Sequence, residues 1–212
     1  MNTSETSRGE FERWLEALNQ RPGDPVEGFF GPQSLIWQVN RELVLYVAGP
    51  RALLLQMAHP LVAQGVADHS NFETDSWGRA IRTFSAMYVL IYGTREEAME
   101  MAARIRLIHT RVVGTLPDRV GPYDAGTPYR ANDPALLRWV YATLVDSALV
   151  TYRDYLASGD QGVIDRCYVE MREGARLFGV DPEWLPATWT GFRQWMVRTI
   201  AGDEIVVSPV AR

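Results

Sequence analysis

Residues 94–114 read TREEAMEMAARIRLIHTRVVG, and this stretch decides the fold class. Thr94 and Glu97 stand at capping-box spacing, where the threonine hydroxyl and the glutamate carboxylate each accept a hydrogen bond from an otherwise orphaned amide. Beyond them Ala98, Met101, Ala102, Ile105, Ile108 and Val112 recur every three or four residues. That spacing is one apolar stripe of an amphipathic helix. Glu97, Glu100, Arg104 and Arg111 fall on the opposite side. Gly114 reads as the stop, because glycine takes the left-handed helix-end conformation without steric cost. The pattern predicts a helix over 94–113, about five turns long.

The same signals recur on both sides. They predict helices over 9–19, 34–48, 51–66, 78–92, 134–157, 163–178 and 190–200, and a short one opening at Asp181–Pro182. Gly49–Pro50 reads as one helix stop followed by a new first turn. Asp133–Pro134 reads as an N-cap followed by proline at the first helical position. Residues 116–132, rich in Pro, Gly and Asp, read as a long connection, and only 204–207 carries a strand-like pattern. The expected fold is all-α, a single globular helical domain of about seven or eight helices. Residues 1–30 form a lead-in of one helix and a turn-rich passage, and residues 31–212 form the domain.

Composition removes several functions. The chain has 212 residues, 47% of them hydrophobic and 22% charged, so it can bury a core. Its 21 Lys and Arg against 26 Asp and Glu give a net charge of −5, a poor match for nucleic acid. One cysteine, Cys167, excludes a disulfide framework and any multi-cysteine zinc site. No unbroken apolar run approaches the roughly 20 residues of a transmembrane helix. The polar start lacks an apolar signal core, so the expected location is cytoplasmic.

Phosphate-loop, dinucleotide, serine-elbow and H-E-x-x-H motifs are all absent. Cys167 sits mid-helix with nothing nearby to activate it, and reads as structural. Among the three histidines, His109 falls on the apolar stripe of the 94–113 helix. Two readings stand for it: a core imidazole bonded to a backbone carbonyl, or an axial ligand to haem iron in a dry pocket. His59 lies in an apolar run and reads as a satisfied core group, and His69 reads as an exposed turn residue. Arg79 and Arg82 project from one side of a helix, with Thr83 four residues after Arg79. They read either as a solvated helix start paired with Glu73 or Asp75, or as fixed donors for carboxylates or developing negative charge.

A longer string ties these pieces together. It runs Gly31-Pro-x-Ser34-x-x-Trp37, Gly49-Pro-Arg-Ala, Gln56-Met-Ala-His59-Pro, Asp68-His69-Ser70-x-Phe72, Gly78-Arg79-x-x-Arg82-Thr83, His109-x-x-Val112-x-Gly114 and Trp139-Val-x-Ala142-Thr143. In order and spacing it resembles the mpaB/rubber oxygenase family, which includes the latex clearing proteins. The resemblance implies an all-helical fold around a buried b-type haem, using dioxygen on an apolar, isoprenoid-like small molecule. It makes His109 the iron ligand and Arg79 and Thr83 polar residues on the distal side. Thr143 matches a further pocket threonine.

Departures are equally specific. Arg82 stands where rubber-cleaving members carry lysine, and arginine does not readily deprotonate to bind iron. The glutamate base of rubber cleavage has no counterpart around Ala63-Gln64-Gly65, and Tyr141 replaces a common histidine. Bacterial members continue beyond the ending at Arg212, which leaves a truncated chain or a missing pocket wall as the two readings. Two rival functions remain at this level: a haem or apolar-ligand carrier without turnover, and a cofactor-free helical interaction domain.

Overall fold

The computed structural model describes residues 8–70, 75–156 and 160–212. Among them the chain forms nine α-helices: α1 (Arg8–Asn19), α2 (Leu35–Asn40), α3 (Leu45–Met57), α4 (Pro60–His69), α5 (Ser76–Tyr92), α6 (Arg95–His109), α7 (Pro134–Tyr155), α8 (Gln161–Gly174) and α9 (Trp189–Ile200). Two short strands, β1 (Val113–Thr115) and β2 (Pro128–Arg130), lie between α6 and α7. The expected all-α domain is what the chain builds. Phe72, Glu73 and the expected helix end at 157 lie outside the described residues.

Helix α7 is the axis on which the others assemble. Asp133 caps it, its carboxylate accepting from the amides of Ala135 and Leu136 at 2.8 and 3.2 Å, and Pro134 fills the first position. Its core face carries Ala142, Thr143, Ser147 and Ala148, small residues that let α3 lie close along it through Ala48 and Ala52. Around that contact Val39, Leu149, Ile164, Tyr168, Phe192 and Met196 close the main core between α2, α3, α7, α8 and α9. A second cluster seats α1 on α5 and α6 through Phe11, Leu15, Leu18, Leu90 and Ala102. Arg95 ties the turn-rich lead-in down. Its buried guanidinium donates to the carbonyls of Asn19, Arg21, Pro22 and Gly28 at 2.6–3.2 Å.

Four expectations need correction. Gly49–Pro50 does not separate two helices; α3 runs through both. Gly49 serves packing instead, since a Cβ there would come within 2.6 Å of the Phe84 ring. The break falls later, at His59, whose Nδ1 accepts from the Leu61 amide at 3.3 Å and so caps α4 ahead of Pro60. Helix α6 ends at His109, and Gly114 lies in β1, paired with Tyr129 of β2. A side chain at Gly114 would overlap the Tyr129 phenol, so this glycine marks a close approach and not a helix stop. Residues 204–207 form no strand; the sheet comes from the segment read as a pure connection.

Candidate functional site

The end of α6 carries His109 into an open-mouthed cavity of about 290 Å³ lined by α3, α4, α5, α7 and β2. Leu61, Val62, Val66, Ile108, Leu136 and Val140 make most of its wall apolar. Neither ring nitrogen of His109 has a hydrogen-bond partner among the described residues, which removes the reading of an imidazole tied to a carbonyl. Burial, and then the nearby Arg106 cation, hold its pKa below the ordinary histidine value. The imidazole is therefore neutral near pH 7, with a free lone pair facing an apolar space.

Arg79 reaches the same cavity from α5, and its Nη1 donates to Ser70 Oγ at 3.1 Å. His69, the last residue of α4, also lines it and bonds the Val113 carbonyl through Nε2 at 3.1 Å. Arg82 and Thr83 stand apart. Both are exposed on α5 and neither lines the cavity, and Arg82 pairs with Asp75 at 2.9 Å. Thr143 is wholly buried behind the wall, where it donates to the Val140 carbonyl at 2.7 Å and accepts from the Gln56 side-chain amide at 3.1 Å. Gln56 itself lines the cavity, so Thr143 touches it through Gln56.

Sequence reasoning missed Gln56, Gly65 and Tyr129. The lone amide of Gln56 within an apolar helical run was the available signal. Tyr129 comes from the segment taken as a loop; its hydroxyl donates to Asp68 at 2.5 Å, and burial and that carboxylate push its pKa up. Gly65 also lines the cavity, and a Cβ there would meet the Tyr129 ring at an ordinary contact distance of 3.4 Å. His59 and Cys167 stay outside the chamber. Burial drives the His59 pKa down to about 4 and raises the Cys167 thiol to about 12, so neither is charged near neutrality.

The donor set can be tested against a bound group. Among the described residues no cluster of three His, Cys, Asp or Glu side chains could hold a bare metal ion. A haem asks less of the protein: one neutral imidazole, apolar walls for the macrocycle and a cation at its edge. His109, the aliphatic wall and Arg79 are the residue types that demand calls for, while the 290 Å³ cavity itself takes only part of a macrocycle. A separate apolar cavity of about 130 Å³, which shares no lining residue with the His109 cavity, lies between α3, α5 and α7 and is walled by Ala52, Phe84, Met87 and Leu144.

The fold and site thus define a helical domain in which one imidazole without a hydrogen-bond partner among the described residues faces a largely apolar cavity. The chain belongs to the ER-bound oxygenase mpaB/B′/rubber oxygenase family, whose catalytic-domain model matches residues 36–212. Its chemistry is accordingly that of an oxygenase, with dioxygen and a substrate as reactants. No curated protein and no solved structure matches the chain. No helix among the described residues is long and apolar enough to cross a membrane.

Proposed function

We propose that the chain is a haem b-dependent oxygenase acting on an apolar small molecule, with His109 as the residue that would hold the iron. The observation that carries this reading is the His109 imidazole, neutral and without a hydrogen-bond partner, on the wall of an apolar cavity. Haem, when bound, supplies the activation of dioxygen. The protein's part is to hold and orient. Its largely aliphatic wall limits the water around a group bound there, which strengthens electrostatic contacts made inside. Arg79 brings a cation to the chamber from α5, where it favours negative charge on a carboxylate or a reduced oxygen species. The Gln56 amide, fixed by Thr143, offers a hydrogen-bonding group in an otherwise apolar wall. Among the described residues no carboxylate lines the cavity, so a protein carboxylate acting as base is not part of this reading.

Haem reconstitution tests it. The expected result is an intense Soret band at one haem per chain, lost in His109→Ala while far-ultraviolet circular dichroism stays helical. A normal ratio of haem to folded protein in His109→Ala would overturn the ligand assignment. His59→Ala and His69→Ala serve as controls.

A further inference from the structure

A second chamber, of about 260 Å³, shares Leu61, Tyr129 and Leu136 with the His109 cavity, so these side chains form the partition between the two. The oxygenase reading makes no use of it. Its wall includes Arg138 and Trp139 of α7 and Trp195 of α9. The Arg138 guanidinium lies over the Trp195 ring, 5.2 Å from its centroid. It makes no ion pair and no hydrogen bond with any described residue. Its Nε–H is sealed from solvent without an acceptor, and so is the indole N–H of Trp139, a residue only 3% exposed.

Arg138 is half-buried with its Nε–H turned inward, and that group and the Trp139 indole N–H can only donate. What this wall lacks is an acceptor. The chamber's own acceptors are engaged elsewhere or held at its edge. Asp133 accepts from the first amides of α7, and Glu204 is exposed. His59 spends Nδ1 on the Leu61 amide, and its Nε2 lies 3.4 Å from the Tyr123 hydroxyl. Beside the donors, Leu61, Leu136, Ile205 and Trp195 provide apolar surface.

We propose that this chamber is a binding site for a small carboxylate with a short apolar body, its carboxylate held by the Arg138 guanidinium and its body set against Trp195. A planar guanidinium matches a carboxylate with two parallel hydrogen bonds, which a neutral amide cannot reproduce. At roughly 30 Å³ per water-sized volume, the chamber takes about eight or nine non-hydrogen atoms, the size of benzoate.

The test uses the full chain without added haem, so that its outcome is independent of the oxygenase assignment. Sodium benzoate and benzamide are titrated at constant ionic strength, with melting temperature and the indole N–H resonances as readouts. Benzoate is expected to raise the melting temperature saturably and to shift Trp139 and Trp195. Benzamide should bind about tenfold more weakly or worse, and Arg138→Gln should lose benzoate by a similar factor. Glu204→Gln, which removes a carboxylate from the chamber, should tighten benzoate. Equal binding of benzamide, or unchanged benzoate binding by folded Arg138→Gln, overturns the proposal. If Arg138→Gln does not fold, the unmutated protein decides. No saturable effect of benzoate up to tens of millimolar, or shifts at Trp14, Trp37 or Trp184 in place of Trp139 and Trp195, would equally overturn it.

Discussion

Arg51 of α3 places Nη2 2.6 Å from Oδ2 of Asp146, at the middle of α7 and without any exposed surface, as a close ion pair and not an aligned hydrogen bond. Arg193 of α9 bonds the other carboxylate oxygen, and Arg51 also donates to Ser147 Oγ at 2.7 Å. One carboxylate thus ties three helices together. Asp146→Asn removes the counter-charge of two guanidiniums that are each about a third exposed, and should cost about 1.5–3 kcal/mol. Replacing all three residues with apolar side chains of similar volume should cost less than the single change. Urea unfolding of both variants checks this, and a single change milder than the triple one would mean that the charges are solvated.

How much of this was legible can be read from individual residues. The capping box was: Thr94 and Glu97 exchange backbone bonds at 2.8 and 3.2 Å as their spacing requires. So were the start of α7 at Asp133–Pro134 and the inward turn of His109. Gly49–Pro50 misled because the local signal for a stop is the same as that for a close helix crossing; only Phe84, from a distant helix, tells them apart. The strands escaped because three-residue pairs carry no periodicity, and this one is supported by the Tyr129–Asp68 bond. In the site, residues on one helix could be grouped by spacing. Nothing local distinguishes Arg79, which turns inward, from Arg82, which pairs with Asp75.

His59 gives the protein an acid-sensitive joint. Its pKa falls from 6.5 to about 4 on folding because burial disfavours the charged ring. The unfolded chain therefore binds more protons between those values, and stability drops as pH falls from about 6.5 to about 4. The full effect is on the order of 3 kcal/mol at 1.36 kcal/mol per unit. His109, shifted in the same direction, adds to the loss. His59→Asn keeps a capping side chain but removes the titration. The difference in unfolding free energy between the unmutated protein and this variant, followed from pH 7 to pH 4, should shrink as the pH falls. A constant difference would show that His59 is as solvated as in the unfolded chain.

Gly114 and Tyr129 should behave as a coupled pair. A methyl group at Gly114 overlaps the phenol, so Gly114→Ala must tilt the ring and break its bond to Asp68. Overpacking of this kind costs about 1–3 kcal/mol. Tyr129→Phe alone loses only the hydrogen bond to a charged group, about 1.5–3 kcal/mol. Because the first change already breaks that bond, adding Tyr129→Phe to Gly114→Ala should cost little more. A double-mutant cycle by chemical denaturation measures the coupling. Strict additivity would mean that the ring never bears on Gly114.

Arg82→Lys probes the distal side of the proposed haem. Where the rubber-cleaving relatives have lysine, this chain's side chain points away from the His109 cavity and toward Asp75. A lysine at 82 would inherit that direction, remain paired with Asp75 at the surface, and keep its ammonium charged. Haem-loaded Arg82→Lys should therefore keep the ferric spectrum of the unmutated protein and bind added cyanide or imidazole as readily. Arg79→Ala should behave differently, since it removes the cation that α5 brings to the cavity and should alter both the spectrum and haem retention. A low-spin spectrum with a nitrogenous sixth ligand in Arg82→Lys would mean that α5 turns on loading to bring residue 82 over the iron. In that case Thr83, one position further along the same helix, would move with it.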